Sequence, residues 1–521
     1  MTETLKRKIG QLFMCGFPAG GLTPEYIDFC KKHYIGNYAV NANNAADMDS
    51  LCSLVSAVRK FTCETTGQYP LISIDQEGGW VTRFYEGAAM ISGAMSFTAS
   101  GADSTKMRRV GERIGGILRA LGCNACNAPV LDVNINPNNP IIGTRAYGET
   151  AQQVLDTALP FMEGLQAQQV LAVVKHFPGH GNVFGDTHLN VVHNTTDADT
   201  LRKTEFATFQ KAFEKEAAGI MTAHVVHDAF TDLPATVSPR IMTGLLRDEM
   251  HFEGIAFTDA MGMRGLNDLY PNGESAPKAI LAGCDVLLYY GFRFDSVQKA
   301  IDAVYAAVES GEITEERIDA SYRRITAMKA KFDLASAEPD PVLARKLTDC
   351  PEAIAENFAD KLASITCIRD DGILKDLAGK KILCISPVCD ALRGVEEKRR
   401  QVLSFADIFA EHFENAAGCV CALSGMTPEV EKAIAGEYDV AVVGIFDAKS
   451  NEGQLEIISA LERIGKPVAA VLLRTPYDYR YVKNCNAVIT CYEYTTLSAK
   501  AVVEAMKRCD YRGKLPVTLP E

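Results

Sequence analysis

The chain has 521 residues, 47% hydrophobic and 23% charged. That is the balance of a globular protein, and the length calls for two or three domains. A net charge of −13 with no Lys/Arg block argues against a nucleic-acid footprint. No apolar run is long enough to cross a bilayer, and Met1 to Lys8 lacks the apolar core of a secretory signal. The 16 cysteines are scattered without a short repeating frame, so reduced thiols and a cytoplasmic location are expected. Cys123 and Cys126 form one CxxC in an apolar run; with no second pair, core packing is the preferred reading over a redox or metal pair.

In chain order, short apolar runs recur and end in polar or glycine residues. They are 9–15 before Gly16, 38–40 before Asn41, 71–74 before Asp75, and 128–131 before Asp132. Then come 170–174 before Lys175 and His176, 219–223 before His224, 255–258 before Asp259, and 284–288 before Tyr289. Helical patterns at 46–62, 105–121, 151–168 and 201–217 separate them. Eight strands alternating with helices predict a (β/α)8 TIM barrel over 1–333. A proline-punctuated linker follows at 334–349, then a C-terminal α/β sandwich domain at 350–521. Its expected strands are 381–385, 439–444, 468–473 and 487–490, read as an open sheet without a dinucleotide fingerprint or P-loop.

In barrels the functional groups collect at the carboxyl ends of the strands. Asp75, Asp132, Lys175, His176, His224 and Asp259 stand there. Asp75 opens Asp-Gln-Glu-Gly-Gly, which suits either hydroxyl binding or a turn. Arg83 and Arg145 are candidates for holding a polar ligand. Asp259 fits a nucleophile or base, and equally a helix N-cap. The densest signal is Lys175-His176-Phe177-Pro178-Gly179-His180-Gly181, running on to Asp186-Thr187-His188. Six of the nine histidines lie between His176 and His227. A carboxylate next to a histidine fixes its tautomer and supports proton transfer. The rival reading is a metal site of His176, His180, His188 and Asp186.

These motifs, with Gly143-Thr144-Arg145 and Thr258-Asp259-Ala260-Met261, resemble glycoside hydrolase family 3, in its bacterial β-N-acetylglucosaminidase branch. Arg474-Thr475-Pro476-Tyr477-Asp478 and Gly513 to Val517 resemble that family's C-terminal domain. The resemblance implies a retaining, exo-acting enzyme that releases terminal N-acetylglucosamine from small muropeptide or chitin-type glycosides. It implies Asp259 as nucleophile and His188, paired with Asp186, as acid/base. It implies Asp75, Arg83, Arg145, Lys175 and His176 as sugar-binding residues. No cofactor or metal is expected, and the partner is a small sugar substrate. A phosphorylase, which uses phosphate in place of water, and a non-catalytic sugar-binding barrel are the alternatives. Trp80, the only tryptophan, stands where the family usually carries Arg; packing is the preferred reading over a sugar-stacking platform.

Overall fold

The computed structural model describes residues 1–44, 47–185, 190–377, 379–389 and 403–520. Eight parallel strands form the first sheet. They are β1 Phe13–Cys15, β2 Asn37–Val40, β3 Leu71–Ile74, β4 Ala125–Cys126, β5 Leu171–Phe177, β6 Gly219–Thr222, β7 Ile255–Phe257 and β8 Leu287–Tyr289. Their spatial order is β7-β6-β5-β4-β3-β2-β1-β8. A parallel bridge from Phe257 to Val286 brings the two ends together, making a nearly closed α/β barrel. In β5 every residue is buried, as expected for a strand covered on both faces.

Several details differ from the sequence reading: Lys175 and His176, expected just past the fifth strand, lie within it, and the eighth strand is 287–289 rather than 284–288. The fourth strand lies at 125–126 rather than 128–131, because Pro129 has no N–H to give to a ladder; only Val130 bridges to Lys175. The first strand is confined to 13–15, since Glu3–Gly10 is a helix capped by Thr2. The single helix expected at 201–217 breaks at Thr204, with φ −111° and ψ −94°, into Ala198–Lys203 and Glu205–Glu214. Helix Met48–Thr66 is capped by Asp47, whose side chain accepts from the Ser50 N–H; the expected start at Ala46 lies outside the described residues.

The stretch 334–349 carries helix Pro341–Thr348, which packs against helices Ser104–Ala120 and Met48–Thr66. Beyond it a second sheet contains β9 Thr366–Asp370, β10 Ile382–Cys389, β11 Ala416–Cys421, β12 Val440–Ile445, β13 Val468–Leu472 and β14 Ala487–Thr490. It runs β9-β14-β13-β12-β10, with β11 parallel to β10. Only β9 runs antiparallel to its neighbour among these pairings. Alternate residues of these strands feed two apolar clusters on opposite faces, the α/β sandwich expected for the C-terminal part.

Two residues from the barrel side enter one of those clusters: Trp80 and Val81. The Trp80 ring is 6% exposed and meets Phe446 edge-on, with centroids 5.7 Å apart. The Arg474 guanidinium lies 5.4 Å from its centroid. Trp80 therefore packs, and it packs into the C-terminal domain. Just before it, Gly79 has φ +56°, and a Cβ there would stand 2.3 Å from Glu493 Oε2. That oxygen accepts the Gly93 N–H at 2.7 Å. Glu493 is ion-paired to Lys361 at 3.0 Å, with both side chains at most 1% exposed. Lys361 Nζ also donates to Ser96 Oγ at 2.7 Å. A buried ion pair of the second domain thus braces the Gly-Gly turn of the first.

Candidate active site

A cavity of about 780 Å³ opens at the carboxyl end of the barrel strands. Asp75, Arg83, Arg145, Lys175, His176 and Asp259 all line it, as does Glu77. Six of the eight residues singled out from sequence are therefore gathered in one place. The other two, Asp186 and His188, lie outside the described residues.

The charged groups form a connected set. Asp75, just past β3, accepts from Arg83 at 3.1 Å and from Lys175 Nζ at 3.2 Å. Glu77 takes both arms of Arg145, at 2.8 and 2.9 Å, and lies 2.5 Å from Lys175 Nζ. Two parallel N–H···O bonds fix the planar guanidinium in orientation as well as position. Arg83 Nε donates to the Tyr290 hydroxyl at 2.9 Å. Burial alone would raise both carboxyls. Lys175 and Arg83 outweigh it at Asp75, which is held below the usual range. Arg145 and Lys175 do the same at Glu77, which is held at about 2. Burial likewise works against the charge on Lys175, but Asp75 and Glu77 hold it raised. The set is ionised at neutral pH and presents fixed donors and acceptors to the cavity.

His176 sits inside β5. Its Nδ1 meets Asp132 Oδ2 at 2.6 Å, and its Nε2 lies 3.4 Å from Arg145. Asp132 also accepts the backbone N–H of His180 at 2.7 Å. One fully buried carboxylate thus orients a cavity-lining ring and ties down the start of the glycine-rich loop. Glu205, at the head of its helix, accepts the Gly181 N–H at 2.8 Å. Gly179 is required above it: its φ is +135°, and a Cβ would come within 2.5 Å of the Glu205 carboxyl. Burial pushes Glu205 up to about 8, with Asp132 adding to the effect. Asn139 Nδ2 donates to the His180 and Gly181 carbonyls. The approach to Asp186 and His188 is therefore held from three sides through Gly181.

Asp259 follows β7 and lines the same cavity. Its carboxylate accepts the Ala260 N–H at 2.7 Å. His224, past β6, bonds Thr236 Oγ1 at 2.7 Å through Nδ1 and lies 3.2 Å from the Ala260 carbonyl through Nε2. It steadies the backbone beside Asp259. Among the described residues no three His, Cys, Asp or Glu side chains come together as a metal-holding group. Both Cys123 and Cys126 are buried free thiols, the packing role preferred from sequence.

Glu77, Asp132 as the His176 anchor, and Tyr290 are the members that sequence reading did not single out as site residues. Glu77 stood within the Asp75 motif, and Asp132 at a strand end. Nothing local marks Tyr290, whose partner Arg83 is 207 positions away.

A parallel α/β barrel with such a cavity at its strand ends is the frame of an enzyme, and comparison with known proteins gives its class. The profile described as "Glycosyl hydrolase family 3 N terminal domain" matches residues 4–328. "Beta-hexosaminidase A" of Pseudoalteromonas piscicida is 28% identical over 551 aligned positions, covering 96% of this chain and 91% of that protein. The "Beta-hexosaminidase" of Methylococcus capsulatus is 31% identical over 325, covering 61% of this chain and 93% of its own. A solved structure, the glycoside hydrolase family 3 β-N-acetylglucosaminidase of Paenibacillus sp. FPU-7, superposes with a TM-score of 0.91 at 30% identity, covering 99% of both chains. The chain belongs to glycosyl hydrolase family 3 and is a glycoside hydrolase.

Proposed function

We propose that this enzyme is a retaining β-N-acetylglucosaminidase that removes terminal N-acetylglucosamine from small glycosides such as muropeptide or chitin fragments. The observation that carries the reading is the cavity itself: Asp259 lines it together with a set of fixed ionic groups, Asp75, Glu77, Arg83, Arg145 and Lys175. The full-length likeness to the Paenibacillus β-N-acetylglucosaminidase supports the choice of sugar.

In this reading Asp75 and the cations around it take the sugar hydroxyls, and His176 stands beside them. Asp259 attacks the anomeric carbon while His188 protonates the departing glycosidic oxygen. A glycosyl-enzyme ester forms on Asp259 and the aglycone leaves as an alcohol. His188, now neutral, takes a proton from water; the hydroxide oxygen replaces the ester oxygen, and the sugar departs with its anomeric configuration retained. Asp186 is the partner that orients His188. Two carboxylates would be the usual pair in a retaining hydrolase.

The test is release of nitrophenol from nitrophenyl β-N-acetylglucosaminide at neutral pH, with and without phosphate. Phosphate-independent release is the expected result. A steep rise with phosphate, together with N-acetylglucosamine 1-phosphate as product, would make the enzyme a phosphorylase instead. No release in either condition would overturn the reading.

A further inference from the structure

The cavity at the strand ends has a second set of lining groups that the proposed chemistry does not use. Arg264, Asn267, Asn272 and Ser275 reach it from the chain between β7 and β8. Arg293 and Lys299 reach it from the chain after β8. At about 780 Å³ the cavity has room beyond a single pyranose. Past Asp259 in the chain, the described residues that line it include cations, amides and a hydroxyl but no carboxylate. Arg264 has Asp268 at 3.7 Å, with both side chains well exposed. A solvated pair of that kind holds its members only weakly. Neither Arg293 nor Lys299 has an ion pair or a side-chain hydrogen bond among the described residues. The Arg293 side chain makes no cap hydrogen bond to the helix Phe294–Glu309 that begins beside it.

In a chain of net charge −13, three weakly engaged cations at one cavity are a local exception, and they attract anions. Two of the three are arginines, whose planar fork matches the oxygens of a phosphate group. The loops after the seventh and eighth strands are also where TIM barrels frequently hold phosphate. The proposed mechanism says which part of the substrate would carry it. Asp259 attacks one face of the anomeric carbon, and the aglycone leaves from the other, toward the loop that carries His188. The chain that follows Asp259 thus borders the retained sugar and not the departing group. On that sugar the exocyclic carbon gives a substituent the longest reach from the ring.

We infer that Arg264, Arg293 and Lys299 form a phosphate site for the retained sugar, so that the enzyme also takes N-acetylglucosaminides phosphorylated at the exocyclic carbon. The inference rests on the proposed glycosidase reading and widens its substrate class. Asn267, Asn272 and Ser275 supply neutral donors around the same group. The product released from such a substrate is a sugar 6-phosphate.

The experiment measures nitrophenol release from nitrophenyl β-N-acetylglucosaminide and from its 6-phosphate, for the wild-type enzyme and for Arg293→Gln combined with Lys299→Gln. Both side chains are exposed, so folding is not at stake. The wild type is expected to turn over both substrates. The double variant is expected to lose about tenfold in kcat/KM on the 6-phosphate, through KM, the worth of charge-assisted hydrogen bonds. On the neutral substrate it should stay within about twofold of the wild type. Added salt should weaken the wild-type reaction on the 6-phosphate more than on the neutral glycoside. No release from the 6-phosphate, or equal effects of the substitutions on the two substrates, would overturn the inference. So would acceleration of the neutral substrate by inorganic phosphate that the double variant loses, because the cations would then serve a free acceptor. Wild-type inactivity on both substrates would overturn the proposed function itself. Calorimetric binding of N-acetylglucosamine 6-phosphate and of N-acetylglucosamine then decides the phosphate site alone: an affinity ratio that the double variant leaves unchanged overturns it.

Discussion

Replacing Glu77 by Gln tests whether the ionic wall of the site is also a structural strut. The carboxylate is 7% exposed and receives two bonds from Arg145 and one contact from Lys175. Glutamine keeps the shape and one acceptor but removes the charge. Arg145 is then left buried without its partner carboxylate, and Lys175 keeps only Asp75. The size of the loss follows from the carboxyl's held value. Burial raises it, the two cations outweigh burial, and it falls from 4.5 to about 2. That difference corresponds to about 3 kcal/mol favouring the ionised form. Because the folded value is depressed, the contribution is fully present above the unfolded value and is lost as pH falls through the folded one. Glu77→Gln should therefore lower the thermal midpoint by roughly 6 °C at neutral pH, taking about 2 °C per kcal/mol for a barrel of this length. The gap should persist at pH 6 and narrow below about pH 4.5, where the unfolded wild-type chain takes up the proton. Calorimetric scans of both proteins at pH 7, 6 and 3.5 would measure it. An unchanged midpoint at pH 7, or a gap as wide at pH 3.5 as at pH 7, would refute the reasoning.

Other outcomes follow from the same geometry. Asp259→Asn should lower turnover of nitrophenyl β-N-acetylglucosaminide by far more than ~10²-fold, because the covalent step disappears; near-normal rates would remove Asp259 from that role. His188→Ala should cost less on nitrophenyl substrates, which need little protonation, than on alkyl glycosides; equal losses on both would argue against His188 as the acid. Trp80→Ala empties a buried aromatic site against Phe446 and Arg474 and should cost about 3–5 kcal/mol. Chemical denaturation of the variant would register it as an earlier transition, and a wild-type profile would contradict the packing described here.

Much of this is legible in the sequence alone. Eight apolar runs ending in polar groups gave the barrel, and the strand-end rule brought Asp75, Lys175, His176 and Asp259 to one cavity. What escaped depends on partners distant in sequence. Glu77 matters because Arg145, 68 positions on, lies along it, and Asp132 because His176, 44 positions on, does. The Thr204 break carried no proline or glycine to announce it. Pro129 did announce the shifted fourth strand, as a residue unable to donate to a ladder. Trp80 read correctly as packing, but no local pattern could say that its neighbours would come from residue 446 and beyond.

The bracing of Gly79 by Glu493 bears on how such genes can be cut and recombined. The Methylococcus relative is spanned to 93% by 325 aligned positions, which leaves no room for a second domain of this size. In the present chain the corresponding portion is not portable. Severed after the barrel, it would carry Trp80 as a bare indole and a Gly-Gly turn shaped around a carboxylate that had gone. That turn lies between Glu77 and Arg83, so a shortened product is expected to disturb two residues that line the barrel cavity. Loss of activity on truncation would then report a missing buttress, and an exchange of second domains between relatives would succeed only where the residue facing this turn travels with it.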